Sequence, residues 1–268
     1  MAQQRLGEFA QLHHCRPGCC RADCAYGTLT PRIYGKDGLK MTDLGNDLYA
    51  PYFAALASMD KPACVQLVLA AVSEGKVGLV ELYTEVLAKS LNELSEAELG
   101  QPDAIWREHV RSEITRTVIE CCYPAVVAEV NAREQERTSA DPAADAKKRV
   151  MIVLPAEEFH ELGARMGADF FQLAGFETLF VGANTPAESI LNGIGYFQPD
   201  YVDLHVVNYY NLFKAKDLLN QIQHQYPKVR LLASGGAFSG EAGQLDRFGP
   251  VCLVRSLADI EALLEETS

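Results

Sequence analysis

The feature that most constrains the fold is a strict alternation of short apolar segments and helical segments over residues 149–268. Five segments have the length and apolar character of buried strands: "RVMIVLP" (149–155), "ETLFVG" (177–182), "YVDLHVV" (201–207), "VRLLAS" (229–234) and "PVCLV" (250–254). Helical patterns lie between and after them: 160–175, 186–196, 211–225, 239–246 and 256–266. Such alternation indicates parallel strands joined by crossover helices. Residues 149–268 are therefore predicted to form a doubly wound, five-stranded parallel sheet of the flavodoxin-like (Rossmann-like) α/β class.

The residues before this region predict a helical bundle over 47–134. One helix should begin after Asp60, a good N-cap, and end near Gly75. The next has one apolar face: Leu79, Leu82, Val86, Leu87 and Leu91. A longer helix is expected to begin near Pro102. Residues 135–148 lose this periodicity and predict a linker, and residues 1–46 predict an irregular Cys-rich arm.

Composition excludes several classes of function. The net charge is −12 and no basic stripe occurs, which argues against direct nucleic-acid binding. No apolar run is long enough to span a membrane, and the first residues lack a signal pattern, so a cytoplasmic location is expected. Four cysteines between Cys15 and Cys24 could form a metal or iron–sulfur site. Their C-x3-CC-x3-C spacing matches no familiar zinc pattern, and reduced thiols are the favoured interpretation.

Unusual residues follow four of the strands, at the edge where doubly wound sheets bind ligands. His160 follows the first strand, His205 and Val207 end the third, and Gly235-Gly236 follow the fourth. A histidine at a rigid strand end is a good metal ligand, and its second ring nitrogen usually binds a carboxylate, for which Glu158 is the nearest candidate. Gly163 would let the first helical turn approach a bulky group. Taken singly, the histidine could be a solvated loop residue and the glycine pair a turn.

The spacing of these residues resembles the fingerprint of cobalamin (vitamin B12)-binding domains. That fingerprint consists of D-x-H-x-x-G, then S-x-L after a long gap, then G-G after a shorter one. This chain has E-F-H-E-L-G at 158–163, H-V-V at 205–207 and G-G at 235–236, so both gaps match the family's. The resemblance implies that His160 is the lower axial ligand of cobalt and displaces the cofactor's benzimidazole, whose tail then runs between the third strand and Gly235-Gly236. Glu158 replaces the usual Asp, and His205 and Val207 replace Ser and Leu, so the tail slot must differ.

The helical region is similar to the cap that covers the corrin in corrinoid carriers and in B12 photoreceptors. The photoreceptors place a Trp, and a Glu-His pair ten residues later, over the cofactor; here Arg116 and Thr117 stand at the pair's positions. One stripe of the third helix has spacings of 3, 4, 3 and 4 and is either a solvated face or a polar lining over a large ligand: Trp106, His109, Glu113, Arg116 and Glu120. His109, or His13 or His14 from the arm, is a candidate upper cobalt ligand.

The combined interpretation is a cobalamin-binding light sensor and not an enzyme. The resemblance implies adenosylcobalamin, with photolysis of the upper cobalt bond driving a rearrangement of the cap or a light-dependent change of homo-oligomer. The output would pass to a protein partner such as a transcriptional repressor or a signalling enzyme. A bilin such as biliverdin beside the B12 is a further option, as in photocobilins. The alternative is a corrinoid carrier protein of a cobalamin-dependent methyltransferase system.

Overall fold

The computed structural model describes residues 43–140, 147–238 and 248–265. Its N-terminal part is helical: α1 Asp43–Ala57, α2 Lys61–Ser73, α3 built from Leu79–Glu81, Leu82–Ala88 and Lys89–Ala97, and α4 Ala104–Ala140. Strands and helices then alternate: β1 Arg149–Pro155, α5 Leu162–Ala174, β2 Glu177–Thr185, α6 Ala187–Phe197, β3 Tyr201–His205, α7 Leu212–Gln225, β4 Arg230–Ser234, β5 Val251–Leu253 and α8 Leu257–Glu265. The predicted fold class is confirmed.

The sheet is five-stranded and parallel, with the order β2-β1-β3-β4-β5. The chain leaves β1 toward β2 on one side and later returns to place β3 on the other side. The carboxyl ends of β1 and β3 therefore flank the point at which the strand order reverses, where doubly wound sheets bind ligands. The residues His160 and Val207 follow these two strand ends.

The cap helices form where the sequence predicts them, with local signals that explain their ends. Asp60 caps α2 through a 3.0 Å bond from the Ala63 N–H to its carboxylate. The predicted apolar face of α3 is buried throughout its length. The middle of α3, Leu82–Ala88, is π-helical, which periodicity alone did not indicate. Such turns are frequent at functional sites.

One hydrophobic core joins the cap to one face of the sheet. It contains the cap residue Leu82, Phe170 of α5 and the β1 residues Ile152 and Leu154. A second core covers the opposite face and includes the alternate β1 residue Val153. Side chains of a strand alternate between faces, so β1 contributes to both cores and is buried from Val150 to Pro155.

Polar contacts also link the cap to the sheet domain. The Tyr83 hydroxyl, in the π-helical segment, donates a 2.7 Å bond to Asp169 of α5. Arg165 of α5 forms an ion pair with Glu120 of α4. Arg116 of α4 lies 2.8 Å from Glu161, just before α5. These contacts hold α3 and α4 against α5 and the residue that precedes it.

Two predicted boundaries differ from the structure, and several predictions lie outside the described residues. Helix α4 continues to Ala140, into the predicted linker 135–148, because Gln135, Glu136 and Arg137 are good helix formers. Helix α1 begins at Asp43, inside the predicted arm 1–46. The predicted helix 239–246, His13, His14 and the cluster from Cys15 to Cys24 lie outside the described residues. Among the described helices, none combines the length and the apolar character that crossing a bilayer demands.

Candidate functional site

Glu158 is the fixed point of the site, held in the loop between β1 and α5. Its side chain is fully buried. Oε2 accepts hydrogen bonds from the backbone N–H groups of Val207 and Asn208, at 3.1 and 2.9 Å, and from the Asn211 amide at 3.1 Å. Oε1 accepts the His160 N–H at 3.2 Å. The loop after β3 therefore locks the carboxylate of the loop after β1.

One ring nitrogen of His160 is hydrogen-bonded to this carboxylate. Nδ1 lies 2.6 Å from Glu158 Oε1. An ionised carboxylate can only accept, so the ring donates from Nδ1, which leaves Nε2 with a free lone pair. The imidazole is 41% exposed while its partner is 0% exposed. A buried anion that orients a half-exposed imidazole is the usual support of a metal-binding histidine.

Glu158 and His160 each favour the charged form of the other. Burial alone would raise the pKa of Glu158, but hydrogen bonds from His160, Asn208 and Asn211 outweigh it and lower the pKa to about 2. The hydrogen bond with Glu158 raises the pKa of His160 against the opposing effect of desolvation. Glu158 is therefore an anion at any physiological pH, and it increases the basicity of the imidazole.

A cavity of about 570 Å³ opens beside His160, between the cap and the sheet edge. Its size lies within the range of small-molecule sites. Cap residues form one wall: Leu91, Asn92, Ser95, Ile105, Glu108, His109, Ser112, Glu113 and Arg116. The sheet domain forms the other: Phe159, His160, Glu161, Leu162, Ala183, Asn184 and Val207.

Only part of the predicted stripe on α4 lines this cavity. His109, Glu113 and Arg116 line it, and their role as a polar lining over a ligand stays a prediction. Trp106 is not among the lining residues; its indole is half-exposed, with the Arg107 guanidinium 5.5 Å from the ring centroid. Glu120 is also outside the lining, because it pairs with Arg165.

Arg116 already forms ion pairs with side chains of the protein. Its guanidinium lies 3.3 Å from Glu113 and 2.8 Å from Glu161. Any carboxylate of a ligand such as a bilin would compete with both partners.

His205 lies in the sheet and not in the cavity. It is 1% exposed, and its Nδ1 lies 2.9 Å from the Ser234 hydroxyl on β4. Burial lowers the pKa of His205 to about 4, so the ring is neutral. Its Nε2 is buried and has no hydrogen-bond partner among the described residues.

The two glycines after β4 have different surroundings from those expected. Gly235 has φ +97°, and a Cβ there would lie 2.3 Å from the Val206 carbonyl oxygen. The backbone after β4 thus passes directly against the backbone after β3, which explains this glycine without a ligand. Gly236 is buried in the short turn that follows, and Gly163 is buried in the first turn of α5.

Sequence reasoning missed the residues that hold Glu158. Asn208 and Asn211 follow β3 directly, and Val207 supports the carboxylate through its backbone, whereas it was predicted only as a cofactor contact. The local sequence V-N-Y-Y-N carries two short amides at a strand end, which is a usable signal for a polar loop. Their partner, however, lies far back along the chain, after β1, and is visible only in the fold.

Residues 148–259 match the family model of the B12 binding domain. With the parallel sheet and the Glu158–His160 pair, this match supports a cobalamin-binding domain in the C-terminal half of the chain. The helices before it complete a fold seen in corrinoid proteins. No curated protein matches the sequence significantly.

Solved structures are similar to this chain at low identity. The monomethylamine corrinoid protein of Methanosarcina barkeri aligns with a TM-score of 0.64 at 12% identity, over 82% of this chain and 98% of that one. The methanol:cobalamin methyltransferase complex of the same organism aligns over 87% and 80% at 16% identity, with a TM-score of 0.39. A cobalamin-binding protein of Desulfitobacterium hafniense aligns over 83% and 97% at 14% identity, with a TM-score of 0.39.

The residues present fit cobalamin. His160 offers one uncommitted imidazole nitrogen, which suits an ion whose other ligands come from a macrocycle. The same imidazole lines the cavity. The buried Nε2 of His205 adds an unsatisfied polar atom at the carboxyl end of β3, the strand next to β1, and it is of the kind that a ligand satisfies.

Proposed function

We propose that this protein is a corrinoid carrier, in which His160 is the lower axial ligand of cobalt and the cap covers the upper face. The observation that carries the proposal is the buried Glu158 carboxylate, which holds the His160 ring with Nε2 directed away from its hydrogen bond. Bound cobalamin would supply methyl-group chemistry at cobalt, which the protein orients and shields. The likeness of the whole described fold to the monomethylamine corrinoid protein supports this function.

Each part of the chain has a defined task in this proposal. Glu158 fixes the tautomer of His160 and makes the imidazole a stronger ligand. The apolar cavity residues Leu91, Ile105 and Phe159 would pack against the bound ligand. A methyltransferase would then be the partner that reaches the upper face, while the chain itself would act as the carrier subunit.

A light sensor is the second candidate, and one observation favours it. His109 of the cap lines the same cavity as His160, so the two imidazoles lie on its opposite walls. A second axial histidine would suit a sensor, because it closes the position that a substrate needs. This candidate would bind adenosylcobalamin, with or without a neighbouring bilin. Its output would be a light-dependent oligomer or a repressor or signalling partner.

The first test is nitrogen ligation in the reconstituted protein. Protein labelled with ¹⁵N-histidine is loaded with cobalamin, reduced to Co(II) and examined by electron paramagnetic resonance. A single ¹⁵N coupling would establish a protein imidazole as the axial ligand, and it should vanish in His160→Ala but persist in His224→Ala, a matched control on α7. A ¹⁴N coupling from the cofactor's own base in labelled wild-type protein would reject the proposal.

The carrier and the sensor are separated by illumination. Wild-type protein and His109→Ala, both loaded with adenosylcobalamin, are compared before and after light by absorption and by size-exclusion chromatography. A carrier should give the same light-exposed spectrum in both proteins and no change in size. A two-histidine spectrum that forms in wild type and is absent from His109→Ala would favour the sensor.

A further inference from the structure

The cap ends, beside the cavity, in the tip of the hairpin that α3 and α4 form, defined here as residues 95–113. Leu94 is the last residue of α3 in the hydrophobic core, and Ile114 is the first of α4. Between them, the described structure has no residue in either core. Four large apolar side chains of the tip are instead 38–57% exposed: Leu99, Ile105, Trp106 and Val110. Little apolar packing therefore holds the tip in place.

The tip nevertheless forms most of the cap side of the cavity. The lining residues that it contributes are Ser95, Ile105, Glu108, His109, Ser112 and Glu113. The loop that carries His160 lies on the other side. A movement of the tip would therefore change the width of the cavity directly.

The polar contacts that join α4 to the sheet domain come after the tip. Arg116 lies 2.8 Å from Glu161, and Glu120 forms an ion pair with Arg165. Within the described ranges, no hydrogen bond or ion pair joins residues 95–113 to the sheet domain. The body of α4 is thus fixed to α5 and to the His160 loop, whereas the tip is not.

Ion pairs inside the tip make it a rigid unit. The Glu98 carboxylate accepts two hydrogen bonds of 2.8 Å from Arg111 and lies 3.5 Å from Arg107. These contacts join the end of α3 to the start of α4. Arg111, 3% exposed, also donates from Nη2 to the backbone oxygen of Ala57, at the end of α1, over 3.3 Å. Arg111 therefore connects the tip to a part of the cap that belongs to the core.

The cavity must widen before a corrinoid can enter. Its volume of about 570 Å³ suits a drug-sized ligand. A corrinoid is larger, because it carries amide side chains and a nucleotide tail on its macrocycle. Moving the whole cap would separate the common core between Leu82 and Ile152 and expose apolar surface to water. Moving the tip alone leaves that core intact.

We propose that residues 95–113 form a lid that moves about Leu94 and Ile114 to admit a corrinoid, while the rest of the cap stays fixed to the sheet domain. This inference rests on the proposed binding of a corrinoid. Arg111 holds the lid closed through its bond to Ala57. Because α4 is continuous from Ala104 to Ala140, the lid moves by bending this helix in the turn that follows residue 113.

The first test measures the rate of cobalamin association with the full chain by stopped-flow fluorescence. Trp106 is the single tryptophan and lies in the lid, so a bound corrinoid should quench it. Arg111→Met removes the bond to Ala57 and keeps a long side chain. It should accelerate association by about three- to tenfold, because the open lid becomes more populated.

Glu120→Gln is the matched variant, since it weakens a contact between the body of α4 and α5 and leaves the lid unchanged. It should alter the association rate by less than about twofold. Acceleration by Glu120→Gln and not by Arg111→Met would mean that the whole cap moves, and would overturn the inference. Equal acceleration in both variants, or in neither, would overturn it too. A purely structural role of Arg111 would lower the free energy of unfolding without accelerating association.

The second test needs no substitution, so it decides the matter even if a variant fails to fold. Bending α4 must break backbone hydrogen bonds at the bend. In ligand-free wild type, the amides of residues 114–117 should exchange hydrogen about tenfold or more faster than those of 118–122 in the same helix. Bound cobalamin should slow the exchange of the first group. Equal exchange rates of the two groups would contradict the lid.

The outcomes distinguish this inference from the proposed function. If wild type binds no cobalamin, both fail. If the ¹⁵N coupling establishes His160 as the cobalt ligand, while Arg111→Met does not accelerate association and the two groups of amides exchange equally, the carrier proposal stands and the lid is rejected.

Discussion

At the residue scale, Glu158 should determine the strength of the cobalt site. In Glu158→Gln the amide nitrogen replaces one acceptor oxygen, so a donor from Asn208, Asn211 or His160 loses its partner. The weaker support of His160 should reduce cobalamin affinity by about 10- to 100-fold. Absorbance titration of the reconstituted protein measures the change.

Glu157→Gln is the matched control for that prediction. Glu157 is the adjacent residue, its side chain is 72% exposed, and it pairs with Lys214. Its substitution should leave cobalamin affinity within about twofold of wild type, because surface ion pairs contribute little. Equal losses in both variants would show that the effect belongs to loop charge and not to the support of His160.

Gly235 should tolerate no side chain. In Gly235→Ala, a Cβ 2.3 Å from the Val206 oxygen and a φ of +97° combine a clash with backbone strain. We expect a loss of more than about 2 kcal/mol in the free energy of unfolding, measured by urea denaturation.

Gly182→Ala isolates the strain alone. Gly182 has φ +102° and nothing within 4 Å of a Cβ. Its substitution should cost only about 1 kcal/mol. If the two variants lose equal stability, the close approach of the two strand exits is not what requires glycine at 235.

At the element scale, the contact between α3 and α5 should depend on pH. Burial raises the pKa of Asp169 to about 6, against the lowering effect of the Tyr83 hydrogen bond. A raised acid pKa means that the folded state binds the proton more tightly, so this contribution to stability is full below about pH 4 and is lost as pH rises through 6. Asp169→Asn keeps an acceptor for Tyr83 without the charge.

The stability of Asp169→Asn relative to wild type should therefore increase from pH 4 to pH 7, by up to about 3 kcal/mol. Thermal and urea unfolding at a series of pH values measures it. Tyr83→Phe is the opposing variant, since it removes the donor and should steepen the loss of stability with pH. A pH-independent difference between Asp169→Asn and wild type would mean that Asp169 titrates normally.

The elements could be predicted from sequence because their signals are local. The alternation of apolar strands with amphipathic helices, and the Asp60 cap, required no knowledge of distant contacts. The π-helical segment of α3 could not be predicted, because its side-chain pattern still indicates an apolar face. In the site, the two-residue separation of Glu158 and His160 indicated their contact. The contacts of Asn208 and Asn211 with Glu158, and the contact of His205 with Ser234, depend on strands that meet only after folding.

At the scale of the whole molecule, the cap and the sheet domain should unfold together. One hydrophobic core runs from Leu82 in the cap to Ile152 in β1. Among the described residues, the cap has no hydrophobic core of its own that is separate from the sheet domain. Trp106 is the single tryptophan and reports on the cap, whereas far-UV circular dichroism reports on all helices. We expect coincident urea transitions by the two probes.

Cobalamin should shift both transitions by the same amount. At 100 times its dissociation constant, the ligand should add about 2.7 kcal/mol to the free energy of unfolding. A cap transition that precedes the sheet transition, or one that cobalamin leaves unshifted, would show that the two parts are independent despite their common core.

The π-helical segment Leu82–Ala88 has a consequence for how the gene can vary. Leu91, Asn92 and Ser95 line the cavity and come directly after this segment, so their direction depends on its extra width. Loss of a single codon there can be absorbed by a return to an ordinary α-helix, whereas loss of a codon between Lys89 and Ser95 would rotate Ser95 by about 100°. The π-helical segment is therefore the part of α3 in which a change of length by one residue should disturb the cavity wall least.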